Sequence, residues 1–147
     1  GAGMSQLSTF HVGKYLFGVD VALVQEVVRL QQITPVPLAP PEIAGLINLR
    51  GEVLTAIDLR ARLGLPPADS DREPVNVVVR VDDEPVSLLV DEIGGVLEVS
   101  QVPFEQTPST VDERVRDLLL GAYTLPDQLL LALNARRVLD VAVESRA

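Results

Sequence analysis

From Gly45 to Arg60 the chain reads Gly-Leu-Ile-Asn-Leu-Arg-Gly-Glu-Val-Leu-Thr-Ala-Ile-Asp-Leu-Arg, an apolar run broken once, at Arg50-Gly51. Branched aliphatic residues suit a pleated, half-buried strand, and glycine tolerates the positive φ that a tight reversal needs. The stretch predicts strand, turn, strand. The arginine at the reversal is the anomaly. Its guanidinium either satisfies loop carbonyls and pins two parts of the molecule together, or anchors a partner, as Arg often does at interface centres.

Similar punctuation runs along the rest of the chain. Residues 10–19 predict a hairpin around Gly13-Lys14, Asp20 can cap a short helical turn over 21–24, and 24–28 returns to a strand pattern. Pro35, Pro37, Pro40 and Pro41 forbid regular structure and mark a connector. Residues 58–63 predict a helix stopped by Gly64 and Pro66-Pro67, followed by an exposed loop over 68–73. A second hairpin is expected from 75–81 and 86–90 around a four-residue tip, Asp82 to Pro85, and a strand over 96–99. A polar stretch with a helical turn near 111–118, a last strand pair around Pro126-Asp127 and a helix over 135–139 complete the chain.

These elements repeat. Val24-Gln-Glu26-Val27 matches Val90-Asp-Glu92-Ile93, with Pro37 and Pro103 following at equal distance. Further on, Gly45 matches Gly121, Leu49 matches Leu125, Ala56 matches Ala132, Asp58 matches Asn134, Arg60 matches Arg136 and Leu63 matches Leu139. The extra residues fall between Pro103 and Gly121, in the polar stretch. Two related halves, about 10–68 and 74–140, each hold about five short strands and one brief helix, which suggests two small barrels that are free to exchange strands. Residues 1–9 are expected to be a tail, with Gly1-Ala2-Gly3 an expression scar ahead of a natural start at Met4, and 141–147 a second tail.

Composition narrows the function. The 147 residues are the size of one domain, and 47% of them are hydrophobic. The absence of Cys excludes disulfide and thiolate chemistry. No apolar run approaches the ~18 residues of a membrane span. A net charge of −9 and an aromatic content of 3% disfavour nucleic acid.

No catalytic constellation stands out. His11 is the one histidine, and it lies between Phe10 and Val12 on a strand, facing away from them. Asp82-Asp83-Glu84 lacks the glycine pivot and the later bidentate Glu of a calcium loop and reads as a solvated turn. Asp91 and Glu92 point to opposite faces of a strand, and neither Gly94-Gly95 nor the 45–51 stretch has phosphate-loop spacing. No cofactor, metal or catalytic residue is expected. Aliphatic β-surface rimmed by charge is left, the usual mark of a protein-partner site. A small-ligand barrel is the alternative, and a hydrolase using Asp58 or Glu92 a distant third.

The order and spacing of Val24-Gln-Glu26-Val27, Gly45-Leu-Ile-Asn-Leu-Arg-Gly51, Ile57-Asp-Leu-Arg60, Leu89-Val-Asp91 and Val96-Leu97 resemble the CheW family of bacterial chemotaxis coupling proteins. The resemblance covers nearly the whole chain. It implies an all-β fold with short helices, two SH3-like five-stranded β-barrel lobes around a shared core. It also implies a non-enzymatic cytoplasmic adaptor between methyl-accepting chemoreceptors, whose helical hairpin tip lies in a groove, and the regulatory domain of the histidine kinase CheA, which packs barrel on barrel. Carried over by motif, the partner-contacting positions are Val24, Glu26, Gly45, Asn48, Arg50, Val75 and Val96. Thr55 stands where the family usually has Pro, and Asn134 where a final Asp is common. With no receiver domain following, a stand-alone coupler is expected.

Overall fold

The structure, a computed structural model, describes residues 5–29, 31–69 and 73–144. The elements run β1 (Gln6–Val12), β2 (Tyr15–Asp20), a single 3-10 turn (Val21–Leu23), β3 (Val24–Val28), β4 (Ile43–Leu49), β5 (Glu52–Asp58) and α1 (Leu59–Arg62). After a linker come β6 (Val75–Val81), β7 (Glu84–Val90), β8 (Glu92–Glu98), β9 (Phe104–Glu105), α2 (Glu113–Arg116), β10 (Leu119–Thr124), β11 (Leu129–Leu133) and α3 (Ala135–Glu144).

Local chemistry explains the boundaries. The Asp20 carboxylate accepts from the Ala22 N–H at 2.9 Å and starts the 3-10 turn. The Asp58 carboxylate accepts from the Ala61 N–H at 3.3 Å and starts α1, and the Asn134 side-chain oxygen accepts from the Arg137 N–H at 3.2 Å at the equivalent place before α3. Asparagine in place of the common aspartate thus keeps the cap.

Several boundaries differ from expectation. The second hairpin turns in two residues, because Asp82 and Asp83 both adopt positive φ, 52° and 64°, as a tight primed turn requires. Helix α3 runs on to Glu144, with Val141 buried, so the expected tail from 141 begins with helix. At the other end β1 starts at Gln6, inside the expected tail, because Leu7 is fully buried. Strand β8 starts at Glu92 and carries Gly94-Gly95 within it. The loop expected over 68–73 lies in part outside the described residues.

The strands form two sheets, in the orders β8-β1-β2-β11-β10-β9 and β3-β6-β7-β5-β4. Each sheet therefore takes its leading hairpin from one half of the chain and its other main strands from the other half. The joins are parallel: β2 with β11, Phe17 opposite Leu131, and β7 with β5, Leu88 opposite Ile57. This exchange makes the two-lobed fold one body. Leu7, Leu16, Tyr123 and Leu130 fill the first lobe, and Ile47, Leu49, Leu54 and Val78 fill the second. A larger shared core between them contains Phe10, Phe17, Ile57, Leu59, Val77, Leu88 and Val138.

The repeat is real, but its register in the first block is different. Val12 faces Tyr15 across one hairpin turn and Val81 faces Glu84 across the other, which fixes the equivalence of the two hairpins. On that frame Val27, opposite Val77, corresponds to Val96, opposite Ser8, and not to Ile93. Pro37 and Pro103 do not correspond either, since the segment bridging Leu46 is Thr34 and the one opposite Ala122 is Glu105. Alternating patterns match themselves at several slips, and only hydrogen bonds distinguish the slips. From Gly45/Gly121 onward the sequence register holds.

Candidate functional site

Strands β3 and β4 are the two edges of the second sheet. At the β4–β5 reversal Arg50 and Gly51 both take positive φ, 52° and 88°, and the Asn48 side chain accepts from the Gly51 N–H at 2.9 Å, holding the turn. The turn aims the Arg50 guanidinium across the sheet opening at the Glu26 carboxylate on β3, and the two form a hydrogen-bonded ion pair. Gln25 Nε2 donates to the same carboxylate at 3.3 Å. Arg80 on β6 donates to Gln25 Oε1 at 3.1 Å and lies 3.9 Å from the Glu52 carboxylate on β5. Charges of alternating sign thus link the second sheet's edges at its surface. On the repeat frame Glu26 and Arg50 correspond to Gly95 and Pro126, so the first lobe has no counterpart of the pair.

Arg50 bears on both readings of its role. Its bond to Glu26 ties the two edges together, yet 68% of its side chain is exposed and open to a partner. The bond from Arg50, followed by the one from Gln25, holds the Glu26 carboxyl below its ordinary value of 4.5. A carboxyl depressed on folding contributes stability that is present above its unfolded value and lost as pH falls through the folded one. Urea denaturation of the wild type and Glu26→Gln should therefore differ modestly at pH 7, with the difference shrinking below pH 4.5 as Glu26 takes up its proton.

The seven positions singled out by sequence do not form one patch. Glu26, Asn48 and Arg50 come together as described. Val24 is half-buried against the shared core. Gly45 is buried beneath Thr34, whose N–H and C=O each bond to Leu46 at 2.8 Å. Val75 lies inside the shared core at 3% exposure, so it supports the fold and presents nothing to a partner. Val96 is exposed, but on an edge strand of the other sheet. Gln25, Glu52 and Arg80 were not foreseen, because each alone reads as an ordinary outward-facing polar residue.

One cleft, of about 560 Å³, is lined by Asp58, Arg60, Pro66, Asp69, Leu89 and Asp91 among others. Arg60 and Asp91 in it hold the fold together. Arg60 grips Asp91 with two bonds of 3.0 and 2.7 Å and donates to the Pro66 carbonyl at 2.8 Å, while Asp91 also accepts from the Gly13 N–H at 2.8 Å. Among the described residues no cluster of three His, Cys, Asp or Glu side chains could hold a metal ion, and no helix is long and apolar enough to cross a membrane.

The family model described as CheW-like domain matches residues 6–143. Chemotaxis protein CheW of Rhizobium meliloti is 34% identical over 128 residues, 87% of this chain and 83% of that protein. The Bacillus subtilis protein of the same name is 31% identical over 135 residues, 92% and 86% of the two chains. Among solved structures, that of scaffolding protein TtCheW from Thermoanaerobacter tengcongensis superposes with a TM-score of 0.79 at 26% identity, covering 90% of each chain.

Proposed function

This chain belongs to the family of CheW-like domains, and from that premise we propose that it links methyl-accepting chemoreceptors to the regulatory domain of the histidine kinase CheA. Its role is that of a coupling adaptor in chemotaxis. It works without catalysis, in the cytoplasm, at receptor arrays. The observation that carries the reading is the asymmetry of the two lobes: one carries the Arg50–Glu26 pair and the other has proline and glycine at those places. An adaptor that holds two different partners needs two different surfaces. A part-exposed cluster of charged and polar side chains such as Glu26, Arg50, Gln25, Arg80 and Glu52 has the make-up of an interface rim. Glu26, Asn48, Arg50 and Val96 are the contact positions, while Val24 and Gly45 shape the surface from beneath.

The test is a binding titration with the kinase regulatory domain and with a soluble receptor hairpin. Arg50→Ala should shift the thermal melt little, since exposed ion pairs contribute little to stability, yet weaken one of the two complexes about ten-fold or more. No complex with either partner at tens of micromolar, from folded protein, would count against the adaptor role. An unchanged affinity for both, with a large drop in melting temperature, would make Arg50 purely a structural pin.

A further inference from the structure

The connector between β3 and β4 contains the most exposed large apolar side chain of the described residues. Leu38 is fully exposed, and its backbone is left-handed, φ 65°. It is the third residue of a turn closed by the Ala39 N–H on the Val36 carbonyl at 3.2 Å, a position that glycine or asparagine fills without strain. Two penalties therefore fall on one residue, an unfavourable conformation and an apolar side chain in water. Strain of this kind persists where the surroundings enforce it, and it clusters at functional places.

The surroundings do enforce it. Pro35, Pro37, Pro40 and Pro41 restrict the chain on both sides. The Thr34–Leu46 bridge ties one end of the connector to β4, and the Ile43 N–H on the Pro40 carbonyl at 2.9 Å ties the other. Ala39, next to Leu38, packs against the shared core. A backbone held this rigidly is pre-organised, so the cost of ordering it on binding is small. The segment is also poor in charge: between β3 and β4, residues 29–42, only Arg29 and Glu42 are charged, in a chain of which 22% is charged. Charge depletion marks the centre of an interface more than its rim.

Resting on the adaptor reading above, we propose that Leu38 is a contact knob for the α-helical partner and not for the β-barrel one. Shape decides between them. A turn that projects one leucine is convex, and packed helices offer holes bounded by four side chains that receive such a knob. The outer face of a sheet is comparatively flat. The left-handed turn excludes the extended polyproline conformation, so the proline-rich segment is not a ligand for an aromatic-lined groove.

The experiment titrates a soluble two-helix receptor hairpin and, separately, the kinase regulatory domain into wild type, Leu38→Gly and Leu38→Met. Leu38→Gly should weaken hairpin binding about ten-fold and leave the kinase affinity within about two-fold. Because glycine relieves the backbone, the same variant should melt a few degrees higher, roughly 2–4 °C. A loss of binding from a more stable protein cannot be unfolding. Leu38→Met keeps the apolar knob and should bind as wild type does. Equal hairpin affinity for Leu38→Gly and wild type overturns the proposal, as does a loss confined to the kinase. Wild type that binds neither partner brings down the adaptor reading with it.

Discussion

Gly45→Ala is expected to destabilise the protein by roughly 3–5 kcal/mol in urea denaturation, combining a strained backbone with an overpacked contact. Gly45 has φ 149°, and a Cβ built on it meets the Thr34 carbonyl oxygen at 2.3 Å and the Ile33 side chain at 2.8 Å. The oxygen belongs to backbone that is hydrogen-bonded to Leu46 on both sides, so it cannot move away cheaply. Gly51→Ala is the control. Its φ is 88°, but nothing lies within 4 Å of the added atom, and a cost of about 1–2 kcal/mol from the backbone alone is expected. Similar losses for the two variants would mean that the Thr34 segment yields. Gly121, the repeat partner of Gly45, sits in the same way beneath Phe104 and the Glu105 carbonyl and should behave like it.

Phe17→Ala should remove about 3–5 kcal/mol, a large part of the 5–15 kcal/mol typical of a domain. The ring is fully buried in the shared core, 6.4 Å from Phe10 and 5.8 Å from Tyr15 between centroids. Its strand belongs to the first half of the chain but sits in the sheet dominated by the second. Unfolding should therefore remain a single transition when followed by far-ultraviolet dichroism and by tyrosine fluorescence, with the midpoint moved and the slope kept. Two separated transitions would mean that the lobes melt independently, against the exchanged topology.

Much of this was legible in the sequence because it is local. The Arg50-Gly51 reversal, the Asp20 cap, the stop at Gly64 and the strand pair around Pro126-Asp127 all follow from side chains acting within a few residues of themselves. Asp58, expected inside the helix, instead ends β5 and caps α1. Gly45 and Gly121 were matched correctly because a glycine beneath a crossing segment has no substitute. What escaped was set by distant partners. An alternating stretch such as Val24-Gln-Glu-Val fits Val90-Asp-Glu-Ile as well as the register the sheets adopt, and β1 and β6 settle which holds. Val75 is carried over from the family resemblance as a contact position, but a valine at a strand start carries no sign of which face its neighbours will cover, and here they bury it. The ion pair across the β3 and β4 edges required the sheet to curl until its ends met, which no spacing along the chain encodes.

The hairpin exchange has a mechanical side. In a molecule of two lobes joined by a hinge, a pull on one lobe is dissipated as rotation about the linker. Here each lobe contains a hairpin that leads directly into the other, so the same pull loads the parallel hydrogen bonds of β2 with β11 and of β7 with β5 in shear. Shear across several bonds at once is stiff. A tilt imposed by a partner on one lobe is passed on as a tilt of the other, and the molecule behaves as a lever and not as a tether.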